Sequence, residues 1–171
     1  MNQWYNVKCK YTKQFEDGRL KRVVEPYLID AMSFTEAEAR AYEEIAEHIR
    51  GEFIIEAITK VDYADIFQYD DADVWHEAKI KYVTVDADSG RERRVTSKFL
   101  VTAHTTKEAY VRMEESLQGM MVSYEIPSVK ETKIVDIFPF NGDRNATPND
   151  EPNVAEELGS KAGDFAREAS E

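Results

Sequence analysis

Two short stretches place a tryptophan ahead of alternating lysines, WYNVKCKY from Trp4 and WHEAKIKY from Trp75. In a strand, alternate residues share a face, so Trp4, Lys8 and Lys10 lie together, as do Trp75, Lys79 and Lys81. More bases follow each stretch: Lys13, Arg19, Lys21 and Arg22 after the first, Arg91, Arg93, Arg94 and Lys98 after the second. Rings beside cations on a solvent-facing hairpin suit single-stranded nucleic acid. The rings stack on bases at about 1–3 kcal/mol per base, and the cations follow the phosphates. All of these residues except the flanking Lys13 and Lys98 form the candidate contact set. A plainer reading stands beside this one. Lysines on an exposed strand face are ordinary and discourage edge aggregation, and the two tryptophans would then seal a junction between the two stretches.

Other chemistries find less support. Asp86-Ala-Asp88-Ser-Gly90 resembles the opening of a calcium loop, but its glycine comes one place early and Ser97 stands where a bidentate Glu belongs. The segment therefore reads as a hairpin turn. His48, His76 and His104 are scattered without metal-ligand spacing. Asp70, Asp71 and Asp73 offer carboxylates in what reads as a solvated linker. Cys9 alternates with apolar residues and reads as a buried thiol. There is no glycine-rich phosphate loop, and no Ser-His-Asp or Cys-His arrangement can be built. The expectation is a non-enzymatic protein without catalytic residues, metal or cofactor. One cysteine allows no intrachain disulfide. The apolar runs fall far short of the roughly 20 residues that span a bilayer, and the first residues lack a signal-peptide stretch. These features predict a cytoplasmic protein with no membrane partner.

Charge at first opposes nucleic-acid binding, because 34 acids against 22 bases give a net charge of −12. The distribution is uneven. Residues 141–171 carry −5, leaving −7 on residues 1–140. Trp4–Val24 carries +4 and Trp75–Lys98 carries +2, whereas Ser33–Arg50 carries −3. The hairpins are basic; the helices, the joint and the tail are acidic.

The elements that position these residues come from an internal repeat. Trp4, Lys8, Lys10 and Tyr11 match Trp75, Lys79, Lys81 and Tyr82 at a separation of 71 residues. After a longer turn the separation is 72, and Gly18, Arg22, Leu28, Glu36 and Arg40 meet Gly90, Arg94, Leu100, Glu108 and Arg112. It returns to 71 at Ile55, Asp65, Ile66 and Phe67, which meet Ile126, Asp136, Ile137 and Phe138. Each unit reads β-β-α-β. A glycine turn joins the first two strands, and Pro26 predicts an edge or a bulge in the second. Ser33…Glu36 and Thr105…Glu108 fit capping boxes. Ala37, Ala41, Ile45 and Ile49 form one helical stripe and Ala109, Met113, Leu117 and Met121 the other, with Gly51 and Gly119 as helix stops. EFIIEAITKVDYADIF and SYEIPSVKETKIVDIF each read as one closing β segment.

The predicted organisation is α+β: a first repeat over 1–67, an acidic joint over 68–74, a second repeat over 75–140 and an acidic tail over 141–171. The two repeats should be related by a pseudo-twofold axis. The tail's composition predicts no fold of its own. Val154, Leu158 and Phe165 share a helical face there and are the candidate contacts for a partner protein.

EPYLIDAMSFTEAEAR, GEFIIEAITKVDYADIF and the closing DIFPF resemble an uncharacterised family of small proteins from Bacteroides-type gut bacteria and their tailed phages. The resemblance covers about residues 3 to 140 and brings no active site to transfer. Its phage members imply a role in replication or host takeover. The leading expectation is thus a single-stranded DNA-binding protein, with the tail meeting replication proteins or regulating the protein itself. The main alternative is a protein-interaction or regulatory module without nucleic acid. A small-molecule sensor binding between the copies is a third.

Overall fold

The computed structural model describes residues 3–140; the tail, with Val154, Leu158 and Phe165, lies outside the described residues. Residues 3–140 belong to one compact unit. Strict alternation builds β1 (Gln3–Gln14): Tyr5, Val7 and Cys9 are buried while Lys8 faces out. Its antiparallel partner is β2 (Leu20–Ala31). The turn between them closes with Gly18 N–H donating to the Phe15 carbonyl at 2.9 Å, and Gly18 has φ 81°, a conformation that strains any residue with a Cβ. Helix α1 (Phe34–Ala46) begins at Ser33, whose hydroxyl accepts the Glu36 N–H at 3.1 Å. Glu36 returns a bond to the Met32 N–H at 2.8 Å, one residue before the cap. β3 (Phe53–Val61) then pairs with the free side of β1, with a bulge at Lys8/Cys9.

The chain now departs from the expected single closing segment. After Val61 it breaks and crosses to another sheet as β4 (Asp65–Phe67). The second half follows the same element order: β5 (Trp75–Val85), β6 (Glu92–Thr102), α2 (Thr106–Ser116), β7 (Tyr124–Glu131) and the short β8 (Ile137–Phe138). β8 crosses back. The two sheets therefore have the orders β3-β1-β2-β8 and β4-β6-β5-β7. β4 runs parallel to β6 at Phe99–Val101, and β8 runs parallel to β2 at Leu28–Ile29. The backbone explains the break. Leu28 and Leu100 are fully buried, and their outward-facing peptide groups need partners. Ala64 N–H donates to Lys98 O at 2.8 Å, and Val135 N–H donates to Pro26 O at 3.0 Å. Pro26 sits where β8 does not yet pair with β2, as an edge proline should.

The helix stripes end earlier than the glycines imply. α1 ends at Ala46 and α2 at Ser116, so Met121 falls beyond the helix and is 99% exposed, not part of the buried stripe. The rest of each stripe packs on its own sheet. Ala41, Ile45 and Ile49 meet Val7, Cys9, Tyr27 and Ile29; Ala109, Met113 and Leu117 meet Ala78, Ile80, Phe99 and Val101. Each large aliphatic side chain so buried contributes about 1.5–3 kcal/mol. A further cluster forms on the faces turned away from the helices, where Leu28, Trp75 and Leu100 meet Trp4, Val61, Tyr63, Ile66, Ile134 and Ile137. The joint is not a loose linker. Tyr69 exchanges bonds with Thr102 Oγ1 at 2.7 and 3.2 Å, and Ala72 is buried.

Candidate nucleic-acid interface

Cross-strand register sorts the predicted contact residues by face. Opposite residues in a ladder share a face. Lys8 lies opposite Pro26, Lys10 opposite Val24 and Thr12 opposite Arg22, so Lys8, Lys10 and Arg22 occupy the helix-free face of the first sheet. In the second sheet Lys79 lies opposite Lys98, Lys81 opposite Thr96 and Val83 opposite Arg94. Lys79, Lys81, Arg94 and Lys98 thus form the matching row. Lys8, Arg22, Lys79, Lys81 and Arg94 are exposed, and among the described residues none of them is held in an ion pair. Lys10 reaches Glu56 at 3.9 Å.

Each row borders a shallow pocket, and the two pockets have equivalent walls. One, of about 160 Å³, is lined by Lys10, Thr12, Arg22 and Ile54, and the other, of about 390 Å³, by Lys81, Val83, Arg94 and Glu125. The remaining predicted residues stand elsewhere. Lys21 lies opposite Lys13, on the helix side of the first sheet, and Arg93 lies opposite Thr84, on the helix side of the second. Arg19 and Arg91 sit at the hairpin turns, and the Asp17 carboxylate holds Arg19. Asp86 caps its own turn, accepting from the N–H groups of Asp88 at 2.8 Å and Ser89 at 3.0 Å.

The tryptophans require a correction. Trp75 is 2% exposed and Trp4 is half-buried in the same inter-sheet cluster. Alternation places both rings on the polar face, as read from the sequence. The base of that face is covered by the other sheet, however, so Trp75 has no open ring for a base.

Two arginines that hold the halves together carry no contact prediction. Arg40 donates to the carbonyl of Asp30 and, at 3.2 Å, to that of Pro139, with Phe140 under its guanidinium at 5.6 Å. Arg112 donates to the Thr102 carbonyl at 2.8 Å, and Tyr69 lies under it at 4.3 Å. Each arginine thus pins the end of the strand that crosses from the other half. Their matched place in the repeat, four residues after the capping glutamate, was the available sequence signal.

Arg112 also holds Asp71 through both carboxylate oxygens, at 2.9 and 2.7 Å, and pairs with Glu108. His104 Nδ1 lies 2.9 Å from Glu108. Asp71, His104 and Glu108 place ligand-type atoms within 4.8 Å of one another, a grouping that their sequence spacing does not reveal. The bonds from Arg112 hold the Asp71 carboxyl below its usual range, and the His104 N–H does the same for Glu108. The bond to Glu108 raises His104. The guanidinium already supplies the positive charge here, so the group reads as an ion-pair network. Cys9 is fully buried, and burial pushes its thiol up to about 11, far from a nucleophile's range.

The chain belongs to the family described as Domain of unknown function (DUF4494), whose model matches residues 3–140. No curated protein and no solved structure matches it. Among the described residues no helix is long and apolar enough to cross a membrane.

Proposed function

We propose that this protein is a non-enzymatic binder of single-stranded DNA, held along the helix-free faces of its two sheets. One observation carries the reading: Lys8, Lys10 and Arg22 recur in register as Lys79, Lys81 and Arg94, and all but the half-buried Lys10, which reaches Glu56, are exposed and in no ion pair among the described residues. An acidic chain that keeps two matched cation rows, five of the six cations in no ion pair among the described residues, has a use for them outside itself. The matching strand orders and Arg40/Arg112 contacts also support a tandem duplication with pseudo-twofold symmetry. With Trp75 covered, the binding is mainly phosphate-directed. A cytoplasmic, phage-linked replication role, with the acidic tail meeting other proteins, completes the proposal.

The test is fluorescence anisotropy with a labelled 30-nucleotide single strand across a salt series. Single-strand affinity falls with a log–log slope of about −0.7 per phosphate neutralised, so six cations give a slope near −4. Lys8→Glu with Lys79→Glu should weaken binding at least tenfold at unchanged melting temperature. Absence of binding at low salt would sink the reading in favour of a protein-interaction module.

A further inference from the structure

The two halves share their element order and strand order, so a place where one crossing opens a cleft is informative. Where β3 crosses to β4, a cleft of about 490 Å³ opens, lined by Gln3, Trp4, Asp62, Tyr63, Thr96 and Lys98 among others. That volume lies within the range of small-molecule sites, about 300–1,000 Å³. The backbone bonds Ala64 to Lys98 and Val135 to Pro26 place the corresponding crossing, from β7 to β8, in register with it. There Val74, Lys133, Ile134, Val24 and Pro26 stand in place of Gln3, Asp62, Tyr63, Thr96 and Lys98. Ile134 packs against the Leu28–Trp75–Leu100 cluster, as Tyr63 does, but Trp75 is closed off from solvent where Trp4 is only half-buried. A cleft that merely followed from the crossing would have the same walls in both halves. Only the β3–β4 crossing has a tyrosine where the other has an isoleucine and a lysine where the other has a proline.

The groups in the open cleft are complementary to one ligand class. Trp4, half-buried, and Tyr63 offer ring surface. The Tyr63 hydroxyl donates to Glu77 at 3.0 Å, which fixes the ring. Gln3 spends its amide N–H groups on the Val61 carbonyl at 2.7 Å, the Trp4 carbonyl and the Asp62 carboxylate. Asp62 is exposed, and its carboxylate accepts from Gln3 Nε2 at 3.4 Å. Lys98 holds its ammonium over the Tyr63 ring at 5.7 Å and is in no ion pair among the described residues. Lys79 lies directly across the ladder from it. Rings, a hydrogen-bond acceptor and paired cations together fit an aromatic base carrying a phosphate.

We infer that the cleft at the β3–β4 crossing binds one nucleotide, its base against Trp4 and Tyr63 and its phosphate at Lys98. This rests on the single-strand reading for the source of the nucleotide, which is one unit of a bound strand; free nucleotide shares the chemistry. The cleft would give the symmetric-looking protein one gripped base and therefore one strand polarity.

Calorimetry on the full chain tests it with dGMP, whose base edge carries donors for Asp62, and with ribose 5-phosphate as the comparison that lacks a base. The expected result is saturable binding of dGMP at least tenfold tighter than ribose 5-phosphate, lost at least tenfold in Tyr63→Ile and in Lys98→Ala. Tyr63→Ile installs the residue of the other half, so folding should hold; an unchanged melting temperature checks this. Equal binding of the two ligands, or an indifferent Tyr63→Ile, overturns the inference. If the 30-nucleotide strand binds normally while dGMP does not, the cleft falls and the single-strand reading stands. If dGMP binds but the strand does not, the strand reading falls and the cleft is a site for free nucleotide.

Discussion

At the residue scale, the charged group at the start of α2 makes a stability argument with a definite sign. His104 has its pKa raised by its bond to Glu108, so its contribution is fully present below about 6.5, the ordinary histidine value, and is lost as pH rises through the higher folded value. Asp71 and Glu108 have theirs lowered, so their contributions are present above the ordinary carboxylate range and are lost as pH falls through the lower folded values. The network is therefore complete only in mildly acidic solution, between the two transitions. The His104 imidazole should titrate above 6.5 by NMR, and Glu108→Gln should bring its midpoint down towards that value. An unmoved midpoint in Glu108→Gln would mean that the 2.9 Å contact does not persist in solution.

At the scale of elements, the two arginine clamps carry the exchange of strands. Arg112 is 8% exposed and reaches the Thr102 carbonyl, the Asp71 carboxylate and the Tyr69 ring, so truncating it leaves a buried carbonyl unsatisfied and frees the joint. Arg112→Met should keep much of the packing yet lower the melting temperature by several degrees, at about 2–4 °C per kcal/mol for a domain near this size. Hydrogen exchange should speed first in β4 and the joint; if β7 opened first, the clamp would be misassigned. The sequence makes the long strands legible, because Tyr5, Val7 and Cys9 alternate cleanly, and both caps, because Ser33 and Thr105 stand three residues before a glutamate. It hides the crossing strands, because three residues in β4 and two in β8 are too short for any period to show. The cation rows follow directly from alternation. The fate of Trp75 does not, because alternation assigns a face and only the second sheet decides whether that face is covered. Asp71 and His104 meet only because the joint is pinned back on α2.

At the scale of the whole molecule, each half lends the other a strand, and Leu28, Trp75 and Leu100 share one cluster between the sheets, so neither half should open alone. Cys9 reports on this. It is the single cysteine, fully buried in the first sheet's core, with its thiol pushed up to about 11 by burial, so a thiol reagent should reach it only when that core opens. Ile80 is fully buried in the second sheet's core and belongs to a different cluster from Cys9. Ile80→Val should cost about 0.5–1.5 kcal/mol by removing one methylene. If the halves open as one cooperative unit, that loss appears undiminished at Cys9, whose labelling under native conditions should accelerate by about 2- to 12-fold, taking 1.4 kcal/mol per factor of ten. If they open separately, Cys9 labels at its original rate while the second sheet's amides exchange faster. The first outcome would make the strand exchange the origin of cooperativity across both halves. The second would reduce the crossing strands to local cover for Leu28 and Leu100.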